Sequence, residues 1–183
     1  MDVSRIRALR GPNLWSRHTA IEAIVACPPP ERDVTQLPEL ESRLRARFPA
    51  VGSLHPAGRS GPTSLAHVLE KAALALQAQA GCPVTFSRTA ATVEPGTYQV
   101  VVEYSEESVG RLALSLAEQL VQAALSDAAF DTDAAIARLR ELDEDVRLGP
   151  STGCIVDAAV ARGIPYRRLT EGSLVRFGWG AKQ

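Results

Sequence analysis

The apolar positions change period several times along the chain, and each change marks an element. In "RIRALRGPNLW" Ile6 and Leu9 alternate with arginines as in a short strand, which breaks at Gly11-Pro12-Asn13. "AIEAIVAC", residues 20–27, reads as a second strand stopped by Pro28-Pro29-Pro30. Leu40, Leu44 and Phe48 then recur at helical spacing within Leu37 to Phe48, and Pro49 ends the run. Residues 50–62 hold three glycines and two prolines, a loop that leads into Thr63 or Ser64 as the N-cap of a helix over "SLAHVLEKAALALQ". Two β-rich runs joined around Glu94-Pro95-Gly96 predict a hairpin over residues 83–104. Helices are predicted over Glu107 to Ser126 and Thr132 to Arg147. The short connection "DAAFD" makes them an antiparallel pair, read as a helical lobe beside the sheet. Beyond Leu148 the pattern predicts a helix from Ser151 to Arg162, a stop at Gly163, and short strands at Tyr166 to Leu169 and Leu174 to Phe177. The expected fold is α+β, a small mixed or antiparallel sheet with about four or five helices.

The helix at 64–77 carries the most suggestive chemistry. At 100° per residue Leu65, Leu69, Ala72, Ala73, Leu76 and Ala80 share one side, and His67, Glu70 and Lys71 fall nearly opposite, which predicts that the polar trio faces away from the core. With a histidine in place of Lys71 the trio would read His-x-x-Glu-His. That helical zinc motif sets two imidazoles one turn apart around a general base. A third ligand could come from Glu103, Glu106 or Glu107, where strand gives way to helix. Lys71 opposes the metal, because an ammonium offers no lone pair and adds positive charge; a salt bridge to Glu70 or to a hairpin carboxylate is the expected alternative.

Composition narrows the field. The chain has 183 residues, 45% of them apolar, which suits one domain with a real core or a domain with a small appendage. It holds no membrane-length apolar run and no secretory signal, and is read as soluble and cytoplasmic. A net charge of -1 gives no global field for nucleic acid or anionic lipid. Cys27, Cys82 and Cys154 form no C-x-x-C pair and are expected to be buried thiols. The Gly149-Pro-Ser-Thr-Gly153 turn lacks the Gly-Lys-Ser/Thr of a phosphate loop and reads as a cap. In "NLWSRH", Trp15, Arg17 and His18 could stack on or pair with a polar ligand; equally, Trp15 could pack inward with Arg17 in solvent.

Four stretches, "LRGPNLWS", "SLAHVLE...ALALQAQAG", "GTYQVVVEYSEESVGRLA" and above all "LGPSTGCIVDAAVARGIPYRRLTEGSLVRFGWGAKQ", resemble the N-terminal domain of cyanophycin synthetases. The resemblance implies a polymer-binding domain over residues 1–148, and over 149–183 a segment leading into an ATP-grasp domain followed by a Mur-ligase-like one. It implies an oligomeric, ATP- and Mg-dependent amide ligase that adds aspartate and arginine to cyanophycin, multi-L-arginyl-poly-L-aspartate. The N-terminal domain, without a cofactor of its own, would anchor the growing polymer. Some members also hydrolyse cyanophycin to make primers, through a zinc peptidase-like site with His-x-x-Glu-His. Here that stretch reads His67-Val-Leu-Glu70-Lys71, so a degenerate site would keep Glu70 as base and His67, Glu103 and Glu107 as ligands. For polymer contacts, position and charge single out Arg17, Arg88, Arg167 and Arg168. A neighbouring domain would cover apolar surface near Leu174, Phe177 and Trp179.

Overall fold

The computed structural model describes residues 1–55, 61–170 and 172–178. Strands β1 (Asp2–Leu9), β2 (Ala20–Ala26), β3 (Ser87–Ala91) and β4 (Thr97–Glu103) form one antiparallel sheet in the order β1-β2-β4-β3. Helices α1 (Leu40–Arg47), α2 (Leu65–Ala80), α3 (Glu107–Ser126), α4 (Thr132–Val146) and α5 (Pro150–Ala161) accompany it, and β5 (Tyr166–Arg168) and β6 (Val175–Phe177) make a separate two-stranded sheet. The α+β expectation is met, and the sheet is antiparallel throughout.

Strand alternation decides which side of the sheet is dry. Ile21, Ala23 and Val25 of β2 and Val100 and Val102 of β4 point to one face and join a single core with α1, α2, α3 and α4. α2 lies against β3 and β4, α3 lies beside it over β2, and α1 and α4 complete the layer. The helical pair therefore does not stand apart as a lobe. Leu116, Leu120, Ala135 and Leu139 belong to the same core as the sheet residues. Each such fully buried Leu or Val contributes about 1.5–3 kcal/mol relative to its exposed state.

α2 departs from the simple amphipathic reading. Sheet and neighbouring helices bury Ala66, His67 and Val68 along with Leu65, Leu69 and Leu76. Glu70, Lys71, Leu74 and Ala75 are partly buried and Ala78 and Gln79 exposed, so Glu70 and Lys71 keep to the more open side as expected and His67 does not. A helical period reports which side is more apolar, not whether the other side is open.

At the other end of β4, Gly110 permits a close approach. A methyl group there would lie 2.6 Å from Cβ of Tyr104 and 3.0 Å from Cγ1 of Ile21, so only glycine lets the first turns of α3 seat against the sheet.

The last segment is the most exposed. α5 buries only Val156, and Ile155, Val160, Ile164, Leu169 and Leu174 are among the exposed large apolar residues. Phe177 is half-buried, and Trp179 lies outside the described residues. Cys27 and Cys82 are buried as expected, but Cys154 is exposed because α5 turns it away from its one covered position. α5 is capped by Gly149 with Pro150 in its first turn, so the Gly149-to-Gly153 stretch is the start of the helix, as its reading as a cap expected. Among the described residues no helix is long and apolar enough to cross a membrane.

Candidate functional site: a mixed-charge face and the cleft beside it

The residues at the start of α2 are committed to holding the fold. Ser64 is the N-cap in extended conformation, and its main-chain N–H donates to Nδ1 of His67 at 3.1 Å, with the Ser64 hydroxyl 2.8 Å from the same nitrogen. That arrangement makes Nδ1 an acceptor and leaves the ring proton on Nε2, the reverse of a metal-bound imidazole, whose second nitrogen is normally a donor. The ring also meets the edge of Tyr98 on β4, with centroids 5.7 Å apart. Glu70 accepts from the Ser87 hydroxyl at 2.7 Å, tying α2 to β3. Lys71 turns to the loop before α2, where Nζ donates to the Ser53 carbonyl at 2.8 Å, and no ion pair joins it to Glu70.

The other expected ligands lie elsewhere. Glu103 alternates with Val102 and so projects from the opposite face of the sheet, where one carboxylate oxygen accepts from the main-chain N–H groups of Thr85 and Phe86, both at 2.7 Å. Glu107 is held by Arg10 at 2.8 Å and Arg111 at 3.0 Å. His67, Glu103 and Glu107 thus face three different environments and do not fit a zinc site. Among the described residues no group of three His, Cys, Asp or Glu side chains is placed to hold an ion.

The polar chemistry is concentrated on the outer face of the sheet. Glu22, the one charged residue in "AIEAIVA", is 2% exposed and accepts from Arg7, from the Trp15 indole at 3.3 Å and from Gln99 at 3.3 Å. Of the three donors on this buried carboxylate, Arg7 comes from β1, Gln99 from β4 and Trp15 from the 10–19 loop, which is tied down over the face by that one bond. Asn13 shapes that loop by accepting from the main-chain N–H groups of Trp15 and Ser16. The Arg88 guanidinium lies 5.7 Å from the centre of the Trp15 ring, a cation–π geometry on an exposed surface. His18 pairs with the free oxygen of Glu103 at 2.9 Å and stacks on Phe86. Arg17, in the same loop, is exposed. Trp15 is therefore half-buried as an anchor while its neighbours stay available.

Thr19 and Tyr104, next in sequence to His18 and Glu103, are hydrogen-bonded to each other and line a cleft of about 860 Å³. Arg10 from the loop after β1, Glu106, Glu107 and Arg111 at the start of α3 and Asp145 of α4 line it, together with Tyr166, Arg167 and Arg168 of β5. Arg168 bonds Glu106 at 3.1 Å and the main-chain carbonyls of Val146 and Gly172, which holds β5 to the body. Arg167 is exposed at the rim. The two adjacent glutamates are tuned in opposite directions. The hydrogen-bonded Arg10 guanidinium holds Glu107 below the ordinary carboxylate range, overcoming partial burial with the help of Arg111. Burial lifts Glu106 above that range, against the pull of Arg168. Burial also raises the Tyr104 and Tyr166 hydroxyls, so both stay protonated at neutral pH.

Of the arginines singled out for polymer contact, Arg17 and Arg88 thus share the outer face and Arg167 and Arg168 share the cleft. Glu22, and Arg10 and Arg111 as the partners of Glu107, escaped notice. Glu22 carried the one available signal, a carboxylate in an apolar strand on the side opposite Ile21, Ala23 and Val25.

Comparison with known proteins agrees with the sequence resemblance. Residues 30–126 match the family described as cyanophycin synthase-like N-terminal domain. The cyanophycin synthetase of Trichormus variabilis is 37% identical over 98% of this chain and 22% of its own length. Those of Geminocystis herdmanii and Synechocystis sp. are 34% and 31% identical over the whole chain and 23% of theirs. The chain thus spans somewhat more than a fifth of the length of these relatives. With more than half of its residues inside the family match and its full length aligned at these identities, the chain belongs to the N-terminal domain family of the cyanophycin synthetases.

Proposed function

We propose that this chain grips cyanophycin and holds it for ATP-dependent addition of aspartate and arginine by ligase domains such as full-length cyanophycin synthetases contain. Every unit of that polymer carries a guanidinium and a carboxylate on an aspartyl residue, so a matching surface needs both signs at close intervals. The observation that carries the reading is the pairing of two mixed-charge patches, one of Arg88, Trp15 and His18 on the outer face and one of Arg10, Glu107, Arg111 and Arg167 at the cleft. Exposed arginines would take arginyl carboxylates in bidentate pairs, and Glu106, Glu107 and Asp145 would take guanidinium groups.

Individual exposed pairs of this kind are weak, about 0–1 kcal/mol each. Weakness suits the task, because a grip that must let the polymer slide gains from many shallow contacts. Tethered next to ligase sites, such a grip raises the effective concentration of the chain end and favours processive extension. The alternative, a zinc peptidase that cuts primers, has no support from the placement of His67, Glu70, Glu103 and Glu107. Co-sedimentation with cyanophycin tests the proposal. The unmodified chain should pellet with the polymer, and a variant combining Arg88→Glu with Arg167→Glu should stay in solution. Equal pelleting of the two, or none by the unmodified chain, overturns it.

A further inference from the structure

Both edges of the four-stranded sheet could in principle accept another strand, but they are unlike. β1 is broken between Ser4 and Arg7, where the register shifts and Arg5 adopts φ 48°, a bulge of the sort that blocks pairing. β3 is regular from Ser87 to Ala91, with no bulge, proline or lysine.

The hydrogen-bond pattern shows which β3 groups face outward. Glu103 donates its main-chain N–H to the Phe86 carbonyl and Thr92 donates to the Thr97 carbonyl, both at 2.9 Å. In an antiparallel ladder this parity turns the N–H and C=O of Arg88 and Ala90 toward β4, and those of Ser87, Thr89 and Ala91 toward the open edge. Among the described residues nothing bonds the outward main-chain groups of those three. The side chains flanking the edge differ in sign across the sheet. Glu70, on Ser87, lies on the helix side, and Arg88, over Trp15, lies on the outer side.

We propose that the outer edge of β3 takes the poly-aspartate main chain of cyanophycin as an added strand, so that the polymer is held by its backbone as well as by its charges. The inference rests on the polymer-holding reading and names how that reading is carried out. A strand of five residues offers its outward groups to a segment of about the same length. Successive residues of the added strand point to opposite faces. Each bears an arginine on its side chain, so a guanidinium is available to Glu70 on one face and an arginyl carboxylate to Arg88 on the other. Main-chain pairing gives a grip that repeats at every second residue, as a sliding polymer requires. A second copy of this chain suits the edge less well. Symmetric pairing about Thr89 would put two Arg88 side chains on one face and two Glu70 side chains on the other, like charge beside like.

Amide hydrogen exchange, followed residue by residue by NMR with a soluble oligomer of β-aspartyl-arginine units, tests this. The Ser87, Thr89 and Ala91 amides should become protected when the oligomer is added. Thr89→Pro, which removes the central outward N–H, should weaken oligomer binding about tenfold. Ala91→Pro, at an exposed position whose N–H also faces outward, is the second variant should Thr89→Pro fail to fold, and it should weaken binding in the same direction. Binding without protection of β3, or undiminished in a folded proline variant, overturns the added strand and leaves polymer holding in place. Absence of any binding overturns both. Protection of these amides that rises with protein concentration, without oligomer, overturns the inference in favour of self-association.

Discussion

Gly110→Ala is the substitution on which the packing account is most exposed. By helix propensity alone it should stabilise α3, since alanine is favoured over glycine by about 1 kcal/mol in a helix interior. The structure predicts the opposite sign. The new Cβ would sit 2.6 Å from Cβ of Tyr104, 3.0 Å from Cγ1 of Ile21 and 3.2 Å from Cγ of Tyr104. Tyr104 Cβ moves only with its backbone, and that backbone is paired with Thr19, so the clash cannot be relieved by a rotamer change. Overpacking in such settings costs about 1–3 kcal/mol, and a contact this short belongs at the upper end. Net destabilisation of about 2 kcal/mol lowers Tm by about 4–8 °C for a chain of this size. Gly153→Ala in α5 is the matched control, because its Cβ would meet only the Leu148 carbonyl at 3.7 Å, an ordinary contact. Thermal melts of the two variants by circular dichroism should move in opposite directions. A Gly110→Ala protein as stable as the parent, or a pair of equal shifts, would refute the close seating of α3 on Tyr104 and Ile21.

Three further outcomes follow from the site. His67→Ala leaves the Ser64 N–H buried without its acceptor and should cost about 1–3 kcal/mol in chemical denaturation, whether or not zinc is added; stabilisation by zinc that His67→Ala abolishes would contradict the capping role. Glu22→Ala removes the acceptor shared by Arg7, Trp15 and Gln99, so the Trp15 loop should lift and tryptophan emission shift to the red; unchanged emission would speak against the anchor. Glu106 and Glu107 should give opposite pH dependences of stability. The depressed Glu107 binds fewer protons folded than unfolded, so its contribution is present above the unfolded value near 4.5 and lost as pH falls through the folded value. The raised Glu106 binds more protons folded, so it favours the fold below its unfolded value and loses that contribution as pH rises through the folded one. Stability measured from pH 3 to 7 in Glu106→Gln and Glu107→Gln should therefore change slope in opposite senses, and slopes of the same sign would refute the assignment.

The parts of the fold that were legible are those set by local rules. Apolar periods placed α2, α3 and α4 to within a few residues, and Glu94-Pro95-Gly96 marked the hairpin turn, where Gly96 takes φ 85°. What escaped was set by distant partners. His67 is buried because α2 is covered on its second side by the sheet, which no period within 64–77 reports. Glu103 is a candidate third ligand by sequence because it stands where strand gives way to helix, whereas strand alternation sends it to the other face. Glu22 finds Gln99 across the sheet and Trp15 from a loop, and only the register of β2 with β4 brings them together. Arg167 and Arg168 could be chosen for charge, but the Glu106 contact that holds β5 against the body depends on the tertiary fold.

The central claim is that this chain holds cyanophycin without cutting it. Incubation of the chain with cyanophycin and excess zinc, followed by separate assay of the pellet and of soluble oligomers, tests it most directly. The account predicts that the chain pellets with intact polymer, that no soluble fragments appear, and that Glu70→Ala behaves as the parent does. Failure to pellet, or release of soluble oligomers that Glu70→Ala abolishes, would contradict it.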